Sequence, residues 1–228
     1  MEKSSKKLMK DKEVSAFYPV NLRLDGQDCL VVGGGAVAER KVKGLLTAGA
    51  CVTVMSPALS SSLAALASEG SIGHIAAAYQ PGSIQDFFIV ICATDDAVVN
   101  RRAAEEAGSK GALVNVVDAP ELGDFIVPSH LARGDLLITV STGGKSPALA
   151  RRLREELEVR YGQEYGLHLE MLSRLRAELK ERLANAEERG DFWREVLSGE
   201  VLALLTAGNM QEAEERIRNA VSSIRTKS

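Results

Sequence analysis

Three glycines and a small residue, Gly33, Gly34, Gly35 and Ala38, stand between an apolar run, Cys29–Val32, and a stretch with helical periodicity. In that stretch Val37, Val42, Leu45 and Leu46 alternate with Glu39, Arg40, Lys41 and Lys43. The spacing Gly33-x-Gly35-x-x-Ala38 is that of the phosphate turn in a βαβ nucleotide-binding unit. The chemistry of such a turn is anion binding. Gly33 takes backbone angles closed to a side chain, Gly35 lets a pyrophosphate approach the main chain, and Ala38 lets the helix pack closely on its sheet. The N–H groups and positive dipole of the helix start then hold the anion. The same residues also suit a strand-to-helix turn that binds nothing; the flanking strand and helix favour binding.

Asp118 is the carboxylate that stands out. It closes the apolar run Ala112–Asp118, where partial shielding would fit it to act as a general base or to bind a cation. Equally, it suits a turn before Ala119-Pro120. Asp124 and Asp135 read as turn residues. A second loop, STGGKSP (141–147), suits an anion through Lys145 and the following helix start, or a plain capped helix with a glycine hinge. The acidic residue that usually grips a cofactor ribose should close the second strand. Ser56 stands there instead, followed by Pro57, so the sequence does not separate NAD from NADP and leaves a main-chain or Ser56 contact to the ribose. His74, His130 and His168 lack metal-ligand spacing and read as structural or surface residues, His130 being the nearest to a ligand position. No metal site is expected. Arg101-Arg102 and Arg151-Arg152 read as solvated helix faces.

The elements that must position these groups alternate in type. Strand-like runs at Cys29–Val32, Cys51–Ser56, Ile72–Ala78, Phe87–Thr94 and Ala112–Asp118 are separated by helical stretches. The helices start at serine (Ser60) or at Asp95 or Asp96, and Gly49 stops the first of them. This alternation predicts an α/β doubly wound parallel sheet of order 3-2-1-4-5 with right-handed crossovers. Ligands bind such sheets beyond the carboxyl ends of the strands. Gly33–Gly35, Ser56–Ala58, Thr94–Asp96 and Asn115–Asp118 converge on that edge, which carries more weight than the glycine turn alone. Beyond Asp118 the pattern predicts two antiparallel strands, Phe125–Val127 and Leu136–Val140, joined through HLARGD. A helix follows, with Ser146 as N-cap and Pro147 in its first turn. From about Gln163 only helices are expected: one carrying Leu167, Met171, Leu175 and Leu179, and two near Asp191–Thr206 and Gln211–Arg225. The expected divisions are 17–118, 119–162 and 163–228.

Of the 228 residues 45% are hydrophobic and 26% charged, and the formal net charge is −3. That balance argues against a nucleic-acid surface. No apolar run reaches membrane-spanning length. The start, MEKSSKKLMKDKEV, lacks the apolar core of a signal peptide and reads as a disordered lead-in. Cys29, Cys51 and Cys92 match no zinc or redox motif. All three read as small buried hydrophobes of a chain in a reducing cytoplasm.

In order, YPVNLRLDGQDCLVVGGGAVAERKVKGLLTAGA, VTVMSP, CATDD, NVVDAPELGDFIVPS and STGGKSPALARRLREELE resemble the siroheme synthases. The likeness is to their precorrin-2 dehydrogenase/sirohydrochlorin ferrochelatase module, as a stand-alone protein. It covers roughly 17–161, and the tail matches in character. The resemblance implies a Rossmann-like domain over 17–118, a small α+β dimerisation segment over 119–162 and a helical C-terminal domain. It implies oxidation of precorrin-2 to sirohydrochlorin with NAD⁺ as acceptor, and in some members insertion of Fe²⁺. It implies a homodimer and an essential aspartate at Asp118. It places cofactor contacts on Gly33–Gly35, Ala36, Val37 and the Pro57–Ala58 corner; Ser56 and Thr94, on the same sheet edge, are the further cofactor contacts expected. Asn115, Thr142 and Lys145 are then the expected substrate contacts, and a loop serine phosphorylated in some members aligns with Thr142. A non-catalytic NAD-sensing module is the competing expectation from another class.

Overall fold

Five apolar runs become five parallel strands: β1 (Asp28–Val32), β2 (Cys51–Met55), β3 (Gly73–Ile75), β4 (Ile89–Cys92) and β5 (Leu113–Val116). They lie in the order β3-β2-β1-β4-β5, as the alternation predicts. This is a computed structural model, and it describes residues 17–182, 193, 196 and 199–225. The lead-in read from MEKSSKKLMKDKEV lies outside the described residues, as does much of the start of the helix expected from Asp191.

Alternate strand residues point to opposite faces, and both faces are covered. On one, Cys29, Val31, Val52, Val54, Ile89 and Ile91 pack with Ala38, Val42 and Leu45 of helix α1 (Ala36–Thr47). On the other, Leu30, Val32, Val90, Cys92, Val114 and Val116 pack with Ala103, Ala104 and Ala107 of α3 (Ala97–Ser109). This double cover explains why β4 is apolar throughout and wholly buried. Burying Val42 and Leu45 contributes roughly 1.5–3 kcal/mol apiece. The register aligns Val32 with both Met55 and Cys92, and Cys92 with Val116. The strands therefore finish level, and the chain leaves four of them side by side.

Local chemistry sets the helix ends. Ser60 Oγ accepts from Leu63 N–H at the start of α2 (Ser61–Ser68), and the Asp96 side chain accepts from Val98 and Val99 N–H at the start of α3. Gly49, at φ +80°, follows the last turn of α1. The Glu106 carboxylate fastens the β3–β4 connection to α3 by accepting from Tyr79 Oη and from the Gly82 and Ile84 N–H groups.

The chain divides into two compact units, one ending at Val127 and one starting at Pro128. The second holds the antiparallel pair β6 (Ser129–Arg133) and β7 (Leu136–Val140), then α4 (Pro147–Arg160), α5 (Glu164–Arg182), α6 (Gly199–Thr206) and α7 (Met210–Arg225). Ser146 caps α4 through Leu149 N–H, with Pro147 in the first turn, as expected. The hairpin corrects the sequence reading: HLAR is itself strand, and Phe125–Val127 is not. Gly134-Asp135 makes a tight turn with Gly134 at φ +56°, pairing Arg133 with Leu136. Phe125 is held elsewhere, its carbonyl accepting from Asn115 Nδ2. Strands β2 to β5 are also shorter than read, while β1 starts one residue earlier, at Asp28; β5 ends at Val116, two residues before Asp118.

In the helical unit Met171, Leu172, Val196, Val201, Leu205, Ala213 and Ile217 form one apolar cluster. His168 on α5 is buried, and its Nε2 has no partner among the described residues. Burial pushes its imidazole below the usual value, against a Val196 backbone hydrogen bond that favours the charged form. The folded state thus binds fewer protons than the unfolded chain near this site. The stabilisation is complete above the unfolded pKa of about 6.5 and is lost as pH falls through the lower folded value. Denaturant melts between pH 7.5 and 5 are expected to show this loss, and His168→Gln is expected to flatten it. Equal slopes in the two proteins would contradict the assignment.

Candidate functional site

The turn after β1 shows why each glycine is there. Gly33 has φ +125°, and a Cβ on it would lie 2.4 Å from the Ala93 carbonyl oxygen. Its N–H donates to Met55 O at 2.9 Å, tying the turn to the end of β2. A Cβ on Gly34 would lie 2.0 Å from the Ala58 carbonyl oxygen and 2.7 Å from Ser56 Oγ. Gly34 O accepts from Ser60 N–H at 2.8 Å. A Cβ on Gly35 would meet nothing within 4 Å, and Gly35 is the N-cap of α1 without a side-chain cap. The helix start at Ala36 and Val37 is therefore open above a surface that only glycine keeps clear. The sequence motif treats position 34 as unspecified, so the requirement there was not readable from spacing.

The β2 corner is held by its own groups. Ser56 is buried, and its hydroxyl donates to Ala58 O at 2.7 Å. The Ser56 side chain thereby shapes the corner, and Pro57 and Ala58 are exposed beside it. His74 Nε2 lies 3.0 Å from Ser56 O. After β4, Thr94 is gripped by Asn100. Thr94 N–H and Oγ1 both donate to Asn100 Oδ1, at 3.1 and 2.7 Å, and Asn100 Nδ2 donates to Thr94 O at 2.9 Å. Asn100 is buried on α3 and was not anticipated. Its position four residues past the Asp96 cap was the available signal.

Gly33, Ser56, Pro57, Tyr79, Thr94 and Asp96 are among the residues lining a concavity of about 180 Å³ at this edge. Burial, then the Glu106 carboxylate, push the Tyr79 phenol up to about 12, so it stays a donor. A larger hollow of about 420 Å³ lies at the opposite, amino-terminal edge, lined by Asp28, Asp86 and Lys110 among others. It has no glycine turn and no helix N-terminus, so the carboxyl edge is the better ligand site. Replacing Asn100 with Ala is expected to free the Thr94 loop and weaken dinucleotide binding by about tenfold, an equilibrium of roughly 1.4 kcal/mol. Calorimetric titration with NAD⁺ measures it, and wild-type affinity would remove the role.

Asp118 stands on the turn past β5 at φ +64°, the one non-glycine residue with positive φ among the described residues. It is exposed, which corrects the expected partial shielding. The cause is its place two residues beyond the buried strand end. Lys41 on α1, read from sequence as part of a charged face, is half-buried. Burial, and then Arg40, lower the pKa of its ammonium, while the charge of Asp118 raises it. Asn115 is buried: its Nδ2 serves Phe125, but Oδ1 has no partner among the described residues.

In the second unit Thr142 Oγ1 accepts from Ser146 N–H at 3.1 Å, so this hydroxyl organises its own loop. Gly143 and Gly144 follow at φ +61° and +80°, and Lys145 is exposed. His130 is 3.3 Å from Pro128 O through Nδ1. Among the described residues no three His, Cys, Asp or Glu side chains gather to hold a metal. The cysteines are free; Cys29 and Cys92 are buried as expected, but Cys51, the first residue of β2, is exposed.

A level-ended parallel sheet, a glycine turn that excludes Cβ atoms and an uncapped helix start define a Rossmann-type NAD(P)-binding protein. Residues 20–129 match a putative NAD(P)-binding family, 133–160 the sirohaem biosynthesis protein central family, and 164–221 the sirohaem synthase dimerisation region. The chain belongs to the siroheme synthase family. It is 41% identical over 204 residues to a siroheme synthase of Methylobacillus flagellatus, covering 90% of this chain and 44% of that one. It is 42% identical to siroheme synthase 1 of Aeromonas salmonicida, covering 87% and 43%. The chain thus spans less than half the length of these relatives. A solved structure described as SirC, precorrin-2 dehydrogenase, superposes with a TM-score of 0.74 at 27% identity. It matches 89% of this chain and 100% of that one.

Proposed function

We propose that the protein oxidises precorrin-2 to sirohydrochlorin with NAD⁺ in siroheme biosynthesis. The observation that carries this is Asp118 standing on the same sheet edge as the glycine turn, one strand-end away from the Thr94 loop. The site fits a dinucleotide. Gly35 leaves the helix start bare, Gly33 and Gly34 admit no side chain, and the concavity bounded by Pro57 and Thr94 opens beside them. Gly33–Gly35 with Ala36 and Val37 would hold the pyrophosphate, and the Pro57-Ala58 main chain the ribose. The corner Ser56-Pro57-Ala58 carries neither an acid for a ribose 2′-hydroxyl nor a cation for a 2′-phosphate.

The cofactor supplies a two-electron acceptor when bound. The chain supplies the base: Asp118 takes the proton that leaves the macrocycle as it loses two hydrogens. Asn115 Oδ1, buried and unpartnered, suits a donor on the substrate. Thr142 and Lys145 are the proposed contacts to its carboxylates, Lys145 as a cation and Thr142 through the backbone of its loop. The match of 164–221 to a dimerisation region, with exposed Leu167 and Met210, supports a homodimer. Free cysteines support a reducing cytoplasm. No helix among the described residues is long and apolar enough to cross a membrane.

Anaerobic incubation with precorrin-2 and NAD⁺ is expected to yield sirohydrochlorin absorbance and one NADH per macrocycle. Binding of NAD⁺ without NADH formation would overturn the reading in favour of a cofactor-sensing module. Adding Fe²⁺ as substrate to the product, against a protein-free control, measures chelation separately.

A further inference from the structure

We propose that Glu39 is a positioning residue for the cofactor, its carboxylate holding, through Ser60, the Pro57-Ala58 corner in the shape that receives the ribose. This rests on the NAD⁺-binding reading above. Three features of the corner carry it.

The first is a continuous run of contacts. Glu39 Oε2, on α1, accepts from Ser60 Oγ at 2.8 Å. Ser60 N–H donates to Gly34 O at 2.8 Å, and Ser60 Oγ accepts from Leu63 N–H at the start of α2. Gly34 in turn lies so close to the corner that a Cβ on it would be 2.0 Å from the Ala58 carbonyl oxygen. One serine thus joins α1, the glycine turn and the start of α2, and Leu59 alone separates it from Ala58.

The second is the way the corner is hung. Pro57 and Ala58 are exposed, so packing does little to fix them. His74 Nε2 lies 3.0 Å from Ser56 O at the entry, and Ser56 Oγ ties Ala58 O within the corner. Glu39 ties the exit to α1, the helix whose start bears the glycine turn. A shift of Ser60 would move both the exit of the corner and the carbonyl of Gly34.

The third is the state of the carboxylate. Lys43 Nζ donates to Glu39 Oε1 at 2.6 Å, which leaves Oε2 for Ser60. Lys43, and then Ser60 and Ser62, hold the Glu39 carboxyl down at about 2, so it is an anion near neutral pH. An acid in the first turn of α1 would by itself oppose a pyrophosphate at the bare helix start. The lysine one turn on offsets that charge. A Glu39–Lys43 pair alone would serve the helix surface; the bond to Ser60, 21 residues further along the chain, serves the corner.

The test uses the full chain with Glu39→Ala and Glu39→Gln. Glutamine keeps an oxygen that accepts from Ser60, and alanine keeps none. In Glu39→Ala the Kd for NAD⁺ by calorimetric titration is expected to rise about fivefold, the scale of one charge-assisted hydrogen bond at a partly exposed site. The KM for NAD⁺ should rise with it, while kcat at saturating NAD⁺ holds. Glu39→Gln should restore most of the affinity. Hydrogen exchange at the Ser60 amide, which is bonded to Gly34 O, reads the corner without cofactor. It is expected to quicken in Glu39→Ala and to stay slow in Glu39→Gln. A Kd in Glu39→Ala equal to that of wild type overturns the proposal and leaves Glu39 a structural tie only. Equal loss of affinity in both variants overturns it as well. If exchange responds as expected but wild type binds no NAD⁺, the tie stands, while the cofactor reading fails and the assigned role with it.

Discussion

Asp118→Asn is expected to cut NADH formation from precorrin-2 by roughly two to four orders of magnitude, the range a positioned general base contributes. The substitution keeps the shape of the side chain and removes the charge. Asparagine also tolerates the left-handed conformation that residue 118 adopts, so the turn at φ +64° is preserved. Asp118 is exposed, and its charge acts on the half-buried Lys41 ammonium, which the change leaves without that opposite charge. NAD⁺ affinity should stay within about threefold, because the glycine turn and Thr94 loop are untouched. Stopped-flow NADH formation and equilibrium NAD⁺ titration on the same preparation separate the effects. Turnover near the wild-type rate would show that another group takes the proton. Loss of NAD⁺ binding in step with turnover would show that the residue serves the fold.

Gly34→Ala should have the largest structural effect of any single methyl group at the site. Its Cβ would lie 2.0 Å from the Ala58 carbonyl oxygen, and backbone must move to admit it. The Ser56–Ala58 hydrogen bond and the Ser60 N–H to Gly34 O bond both lie in the way of that movement. Overpacking of this kind costs about 1–3 kcal/mol, at about 2–4 °C of melting temperature per kcal/mol for a chain this size. NAD⁺ affinity should fall by about tenfold or more, since the corner moves with the turn. Gly35→Ala is the control: nothing lies within 4 Å of its Cβ, so melting should not change, while approach of the pyrophosphate is obstructed. A Gly34→Ala protein that melts and binds like wild type would refute this account of the corner.

Much of the architecture was legible because it depends on short-range chemistry. Apolar runs gave the five strands and their order, and Ser60, Asp96 and Ser146 announced three helix starts. The glycine spacing located the turn because backbone conformation there depends on residue type alone. What escaped depends on contacts distant in sequence. Gly34 is required by Ala58, a demand no local pattern carries. Asn100 looked like any polar helix residue until the Thr94 loop folded onto it. The hairpin was misplaced because apolar Phe125–Val127 looked more strand-like than HLAR, although Gly134-Asp135 is the turn. The shielding of Asp118 was misjudged because burial ends with β5, two residues earlier.

The exposed Cys51 opens a practical route. It begins β2, in register with Asp28, so it sits at the foot of the sheet, five residues or about 17 Å from the Ser56 corner. Burial pushes the Cys29 thiol up to about 11 and the Cys92 thiol up to about 12, and both lie inside the core. A maleimide fluorophore therefore has one reactive sulfur to find, far enough from the crest to leave it undisturbed. The native sequence comes ready for a dye that reports on cofactor docking, with no engineered cysteine.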